Sequence, residues 1–188
     1  MMVCAFLAAV TTGAVWAHCD RINGPVAKDA ISALEQRDFG VVQIWVGEDQ
    51  ELELRARFDE ALTVGQQSEA AREMAERYFI ETAIRLHREA EGMHFTGVKP
   101  AAEPSPDIAA AERALEMADV TIVTDYLKAR IDEEVGAWFA GAREAQGHRH
   151  TSVEAGRKWI DAYVKYVVFI HTLSEVIEAG PPHGAHDH

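Results

Sequence analysis

His18 and Cys19 are the residues of this sequence whose types and spacing most clearly suggest a chemistry. They follow an uncharged apolar run, residues 1–17, that ends in Val15-x-Ala17. Small residues at these two positions are typical of a signal-peptidase site, so we predict a signal peptide over residues 1–17. Cleavage after Ala17 would leave an α-amine, an imidazole and a thiol within two residues, and these groups together can chelate a transition metal.

The predicted chelate is built on the new chain terminus. An α-amine has a reference pKa of about 7.7–8.0, so a metal ion displaces its proton easily. The amine, the following amide nitrogen and the Cys19 thiolate would close fused rings of the square-planar kind that Cu(II) and Ni(II) prefer, and the His18 imidazole can fill a further position. The sequence therefore predicts a copper or nickel ion as cofactor. The alternative is a trimmed end that begins His-Cys by chance.

Two histidine–glutamate pairs provide a second set of candidate ligands. His87 and Glu91 are four residues apart, as are His171 and Glu175, so each pair lies on one face of a predicted helix. If the long helices pack antiparallel, these side chains could converge on each other or on the N-terminus. The alternative is a histidine at the core edge bonded to its glutamate, and we expect both histidines to be at least half buried. The predicted metal ligands are His18, Cys19, His87, Glu91 and His171.

Composition and charge exclude several classes of partner. The chain of 188 residues has a net charge of −13, which argues against nucleic acid and against anionic membrane surfaces. After residue 17 no uncharged apolar run approaches the ~18 residues of a membrane span. Cys4 would leave with the signal peptide, so Cys19 would be free, metal-bound or paired with a second chain in a homo-oligomer. These features predict a periplasmic or secreted protein.

Helical periodicity through the rest of the chain predicts an all-α fold. Gly24-Pro25 opens a first helix to about residue 36, and further helices are expected over residues 49–64 and 68–91. The last helix begins at Thr151-Ser152-Val153-Glu154, which has the capping-box pattern, and runs to about residue 178. Residues 41–46 could form a strand on composition alone, but no other segment offers a pairing partner. The histidine-containing tail, residues 180–188, is predicted to be disordered.

The two halves of the chain share a pattern. Ala33-Leu34-Glu35-x-x-Asp38 aligns with Ala114-Leu115-Glu116-x-x-Asp119 at an offset of 81 residues. We predict a single helical domain over residues 18–179, a bundle of about six helices built from two related three-helix repeats. The repeats would span residues 24–92 and 107–179, joined by a linker over residues 93–106. The alternative is chance similarity among common helix formers.

The start of the predicted mature chain resembles that of nickel superoxide dismutase, which begins His-Cys-Asp-x-x-Cys-Gly and also folds as a helical bundle. His18, Cys19, Asp20 and Gly24 match this pattern, whereas Asn23 stands where the second cysteine is expected. The resemblance implies an N-terminal metal-binding segment. A site with two thiolates cannot form here, so the resemblance supports metal binding more than dismutase activity.

Over most of residues 18–170 the chain resembles an uncharacterised bacterial family of exported helical proteins. This resemblance implies that the His-Cys start accompanies the fold, and it implies no activity. The matching stretches are His18-Cys19-Asp20-x-x-x-Gly24-Pro25-Val26, Tyr78-Phe79-x-Glu81-Thr82-x-x-Arg85-x-His87-Arg88, Thr96-Gly97-x-Lys99-Pro100 and Val153-Glu154-Ala155-Gly156-Arg157.

Three functions follow from these observations and stay open at this point. The first is an exported protein that binds copper or nickel through His18 and Cys19 and acts as a redox enzyme on a small oxygen species. The second is a non-catalytic metal carrier or sensor with the same chelate. The third is a helical interaction module without a metal. Metal analysis separates the third from the others, and redox turnover separates the first from the second.

Overall fold

The computed structural model describes residues 18–180, which form helices joined by turns and by one longer non-helical stretch, residues 91–105. The predicted signal peptide, residues 1–17, and all but the first residue of the predicted disordered tail, residues 180–188, therefore lie outside the described residues. Within residues 18–180 the structure contains seven complete helices and no β-sheet, so the prediction of an all-α helical bundle is confirmed. The helices are α1 (Pro25–Gln36), α2 (Gly40–Gln43), α3 (Glu48–Val64), α4 (Glu69–Ala90), α5 (Pro106–Met117), α6 (Thr121–His148) and α7 (Val153–Ala179).

The described chain divides into two compact units at the proline-rich stretch predicted as a linker. Unit 1 covers residues 18–104 and contains α1 to α4, and unit 2 covers residues 105–180 and contains α5 to α7. Among the described residues, none of the helices is long and apolar enough to cross a membrane.

Helix α4 is the centre of unit 1, because both α1 and α3 pack against it. Ala27, Ala30 and Ala33 are fully buried on α1, and such small side chains let two helices approach closely. Phe58 of α3 packs against Phe79 of α4 in a tilted arrangement with ring centroids 5.7 Å apart, within the range that aromatic pairs favour. The hydrophobic core cluster consists of residues of this unit.

The connection between α1 and α3 is helical. Arg37 ends α1 in the left-handed conformation (φ 55°), and its backbone N–H donates to the carbonyls of Ala33 and Leu34. Asp38 Oδ1 then accepts a hydrogen bond of 2.9 Å from the Gly40 amide, which satisfies a free donor at the start of α2. The alternative of a strand over residues 41–46 is therefore wrong, since the local capping favours a helical turn.

Unit 2 is built on a hairpin of α6 and α7, and α5 packs against α6. Trp138 of α6 faces Phe169 of α7 with ring centroids 6.0 Å apart. Among the described residues of unit 2, only Ala114 and Ala142 are buried. None of the residues of α7, all of which the structure describes, is buried. The apolar side chains of this unit are therefore mostly half-buried or exposed.

The start of α7 differs by one residue from the predicted capping box. Ser152 is the N-cap, and its hydroxyl accepts a hydrogen bond of 3.0 Å from the Ala155 amide. Thr151 instead donates to the His148 carbonyl at 2.8 Å, which closes the turn after α6. Glu154 pairs with Lys158 at 2.9 Å, and this hydrogen bond lowers the pKa of Glu154. The reciprocal bond of a capping box is therefore absent at this end.

Candidate functional site

His18 and Cys19 lie at the start of a tight turn that leads into α1. The Gly24 amide donates to the Arg21 carbonyl at 2.9 Å, and the Arg21 amide donates to the His18 carbonyl at 3.3 Å. A Cβ atom at Gly24 would overlap the His18 carbonyl oxygen, so only glycine fits this position. Pro25 follows as the first residue of α1, where its missing N–H leaves no bond unmade.

Residues 18–24, the N-terminal segment, form a short parallel pairing with Lys99. The Lys99 amide donates to the Asp20 carbonyl at 2.8 Å, and the Ile22 amide donates to the Lys99 carbonyl at 3.0 Å. The Lys99 ammonium in turn donates to the Thr96 carbonyl at 3.0 Å. The N-terminal segment is thereby attached to a part of the chain far from it in sequence.

Asn23 strengthens this attachment. Its side-chain amide donates to the Ala102 carbonyl at 3.2 Å and accepts from the Ala102 amide at 3.3 Å. Two bonds from one side chain imitate a further step of strand pairing. Asn23, which occupies the position of the missing second cysteine, therefore has a structural role here.

Asp20 is the fully buried side chain of the segment, and the sequence analysis did not place it among the site residues. It is 2% exposed, and its partner Arg88 on α4 is 6% exposed. Asp20 Oδ1 lies 2.8 Å from Arg88 Nε, and Asp20 Oδ2 accepts a hydrogen bond of 3.0 Å from Arg88 Nη2. The Nη2 contact is a hydrogen bond and the Nε contact is a close ion-pair approach, so two buried opposite charges face each other. This pair connects the residue next to Cys19 directly to α4.

Arg88 also contacts the predicted ligand pair His87 and Glu91. Arg88 Nη1 lies 3.4 Å from Glu91 Oε2, and Glu91 Oε1 lies 3.6 Å from His87 Nε2. His87 is 7% exposed, so the prediction that it is at least half buried is confirmed. A continuous row of contacts therefore runs from Asp20 through Arg88 and Glu91 to His87.

The ring of His87 is held by a residue that the sequence analysis did not identify. His87 Nδ1 lies 2.8 Å from the Trp45 carbonyl oxygen, and because a carbonyl only accepts, Nδ1 carries the hydrogen. In a neutral ring Nε2 then presents a lone pair, and it has no hydrogen-bond partner among the described residues. The Trp45 ring stands edge-on to the imidazole at 5.5 Å and donates to Asp29 at 2.7 Å.

His171 lies in unit 2, and its predicted burial is wrong. Its side chain is 70% exposed, although Nε2 does approach Glu175 Oε1 at 3.4 Å as the spacing predicted. Phe169 contacts α6, and a residue two positions later points to the opposite side of the helix. The apolar face that His171 continues is therefore not the face that packs on α6.

The described residues hold no complete metal site. Within residues 18–180 no group of three or more His, Cys, Asp or Glu side chains is placed to hold a metal ion. Cys19 and His18 are half-buried, and Cys19 packs against the core of unit 1. Four of the predicted ligands, His18, Cys19, His87 and Glu91, lie in unit 1.

Asp20, Arg88 and Lys99 are not ligand candidates in the sequence, but each belongs to a stretch that resembles the family. Asp20, Arg88 and Lys99 stand in three separate stretches of the family resemblance, and unit 1 brings these three stretches together. Their spacing does not match a ligand motif, so the sequence alone does not indicate metal chemistry at these residues.

Comparison with known proteins identifies a family but no activity. The sequence profile of DUF6448, described as a family of unknown function, matches residues 23–169, which is more than half of the chain. The match begins after His18 and Cys19 and so does not bear on them. No curated protein and no solved structure matches the chain.

Proposed function

Because the chain belongs to DUF6448, a family of unknown function, we propose a function from its own residues: it is an exported protein that binds one copper or nickel ion through His18 and Cys19. Removal of residues 1–17 would create the α-amine of the chelate and deliver the protein to the periplasm or the medium. The prediction of an uncharacterised family is confirmed. Export and metal binding are the proposal.

The observation that carries this proposal is the buried pair of Asp20 and Arg88. A chelate on a mobile chain end loses affinity, because its ligands must be ordered at the moment of binding. Asp20 follows Cys19 directly, and its carboxylate pairs with Arg88 of α4 through a hydrogen bond of 3.0 Å and an ion-pair contact of 2.8 Å. The backbone of the chelating residues therefore continues into a fixed segment, which favours binding.

The match of His18, Cys19, Asp20 and Gly24 to the start of nickel superoxide dismutase supports the same proposal. Asn23 is engaged with Ala102 and supplies no thiolate, so one thiolate would serve the metal. A single thiolate suits a carrier or sensor as readily as a redox enzyme acting on a small oxygen species. Superoxide turnover and metal transfer to a chelator, measured on the same sample, separate these two uses.

The test uses protein purified from an exporting host, after mass spectrometry has located its first residue. We expect a start at His18, about one Cu(II) or Ni(II) bound, and a sulfur-to-metal charge-transfer band. Cys19→Ser should remove the band, and an added N-terminal residue should also damage the site, because it converts the amine to an amide. A His186→Ala variant controls for binding by the tail. Identical binding by wild type, Cys19→Ser and the extended protein would refute the proposal.

A second candidate function, a helical interaction module without a metal, is favoured by the exposed apolar face of α7. Ile160, Val164 and Val168, spaced four residues apart, are 56%, 48% and 54% exposed. An exposed patch of this kind often marks an interaction surface. Sedimentation should show a homo-oligomer that Val168→Asp dissociates. A wild-type monomer would exclude self-association as the use of this face.

We also propose that the two units arose by duplication. Three pairs of local structures support this: the left-handed caps at Arg37 and Ala118, the Asp38 and Asp119 carboxylates that accept from amides two residues later, and the Ser68 and Ser152 caps. The first two pairs share the offset of 81 residues. In an experimental structure the backbones of residues 24–92 and 107–179 should superpose helix for helix, and failure of α1 to superpose on α5 would exclude duplication.

A further inference from the structure

We propose that His87 Nε2 and Glu91 Oε1 are two ligands of a divalent-cation site of the zinc class in unit 1, separate from the N-terminal chelate. His87 is more than nine-tenths buried, and its Nε2 has no hydrogen-bond partner among the described residues. A buried acceptor without a donor is unfavourable. We therefore expect Nε2 to bind a ligand that comes from outside the chain.

The distance between the two ligand atoms fits a metal ion better than a direct bond. Nε2 and Oε1 are 3.6 Å apart, beyond a normal hydrogen bond. Zinc binds imidazole nitrogen and carboxylate oxygen at about 2.0–2.2 Å, which puts two ligands of a tetrahedral ion about 3.4 Å apart. One cation between the two atoms therefore requires a shift of only a few tenths of an ångström.

The surroundings of both ligands match those of metal ligands. The His87 Nδ1–H donates to the Trp45 carbonyl, which fixes the tautomer and leaves Nε2 as the binding atom. Glu91 Oε2 lies 3.4 Å from Arg88 Nη1, so one oxygen is oriented while Oε1 stays directed at the histidine. These outer contacts hold both ligands in place before a cation arrives.

Glu91 also provides access from solvent. Its side chain is 17% exposed while that of His87 is 9% exposed, so the open side of the pair is the carboxylate side. Water would complete the coordination from there, because the described residues offer no third ligand in the group. A cation held by two protein ligands and water binds weakly to moderately and exchanges readily.

The experiment uses the full mature chain carrying Cys19→Ser and one added N-terminal residue, so that the chelate is disabled. Co²⁺ serves as the probe, because a tetrahedral site gives it intense visible bands, and Zn²⁺ should displace it. We expect binding that broadens the His87 imidazole resonances, and His87→Gln and Glu91→Gln should each weaken it by roughly tenfold or more.

The matched control is the exposed pair His171 and Glu175, which has the same spacing, and within residues 18–180 no carbonyl or arginine contact orients it. His171→Gln and Glu175→Gln should leave Co²⁺ binding unchanged. Glu91→Gln keeps the side-chain size, so it tests the site even if His87→Gln unfolds the protein. Absence of Co²⁺ binding, or equal binding by the wild-type pair and Glu91→Gln, would overturn the proposal. Because the chelate is disabled throughout, this result is independent of the test of His18 and Cys19.

Discussion

Asp20 and Arg88 show how one pair of charges determines the position of the N-terminal segment. Both side chains are removed from water, and their opposite charges lie 2.8 Å apart. The loss of one partner leaves an uncompensated charge in the interior, which is far more unfavourable than the loss of a surface pair. The pair therefore acts as a specific attachment between residues 18–24 and α4.

We predict that Asp20→Ala lowers the free energy of unfolding by about 3–5 kcal/mol, because the buried Arg88 guanidinium loses the buried carboxylate that faces it. Urea denaturation of the mature protein measures this change. The control is Asp161→Ala, which breaks the exposed pair with Lys165 at 2.7 Å and should change stability by less than about 0.5 kcal/mol. Equal effects of the two substitutions would contradict the attachment role of Asp20.

Gly24 is the second residue on which the segment depends. We predict that Gly24→Ala destabilises the protein by about 1–3 kcal/mol, since the new methyl group overlaps the His18 carbonyl oxygen and the turn must open. Gly136→Ala on α6 meets no atom within 4 Å and should instead stabilise by about 0.5–1 kcal/mol. Thermal denaturation of both variants checks the opposite signs, and stabilisation by Gly24→Ala would show that the turn is not formed.

At the scale of the elements, helix ends depend on which side chain reaches the free amides. Ser68 and Ser152 each accept from the amide three residues later, at the starts of α4 and α7. The neighbouring Thr151 instead donates to the His148 carbonyl, and Ser152 is the residue that caps α7. A shift of one residue, from Thr151 to Ser152, therefore determines which hydroxyl caps the first turn of α7.

We expect Ser152→Ala to cost about 1 kcal/mol of stability in α7, because the Ala155 amide loses its acceptor. Thr151→Ala should have a smaller effect, since its hydrogen bond closes an exposed turn and caps no helix. Hydrogen exchange at the first turn of α7 measures both. A larger loss from Thr151→Ala would restore the capping-box register that the sequence suggested.

Asp119 is expected to make the stability of unit 2 depend on pH. Hydrogen bonds from the Thr121 hydroxyl and amide, at 2.6 and 2.9 Å, lower its pKa below the ordinary value of 3.8. A carboxyl whose folded pKa is depressed stabilises the fold above its unfolded pKa, and this contribution is lost as pH falls through the folded pKa.

Asp119→Ala should therefore destabilise unit 2 at neutral pH, and the difference from wild type should shrink as pH falls below 3.8. Urea denaturation at several pH values, followed by the fluorescence of Trp138 and Trp159, measures it. A difference that grows on acidification would have the wrong sign for this mechanism.

At the scale of the whole molecule, the two units differ in how much apolar surface they bury. The core cluster is made of unit 1 residues, among them Leu54, Phe79 and Ile84, which are fully buried. In unit 2 the side chains of α7 are half-buried at most. Burial of apolar surface is the main favourable term in folding, so the two units should differ in stability.

We predict that backbone amides of α4 exchange more slowly than those of α7 in the isolated protein. Native-state hydrogen exchange read by mass spectrometry resolves the two helices, because local opening reflects the local density of buried contacts. Comparison at low and high protein concentration is the control for self-association. Equal protection at low concentration would show that the apolar face of α7 is covered within one chain.

The positions and extents of most helices follow from the sequence, because the determinants are local. Pro25 begins α1, Ser68 precedes α4, and the apolar spacing of about 3.6 residues indicates the helical state between such signals. The burial of His87 was predicted in the same way from the apolar positions around it. Residues 41–46 were the ambiguous stretch, since a short apolar run has no clear period.

Only the tertiary structure decided which residues meet. Asp20 and Arg88 are 68 positions apart. The residues around a single charged side chain do not indicate which distant residue it will pair with. His87 and His171 have the same helical environment in the sequence, yet Trp45 covers the first while the second stays exposed. Periodicity determines which face of a helix is apolar, whereas burial depends on whether another part of the chain packs on that face, and this is a property of long-range contacts that local patterns do not encode.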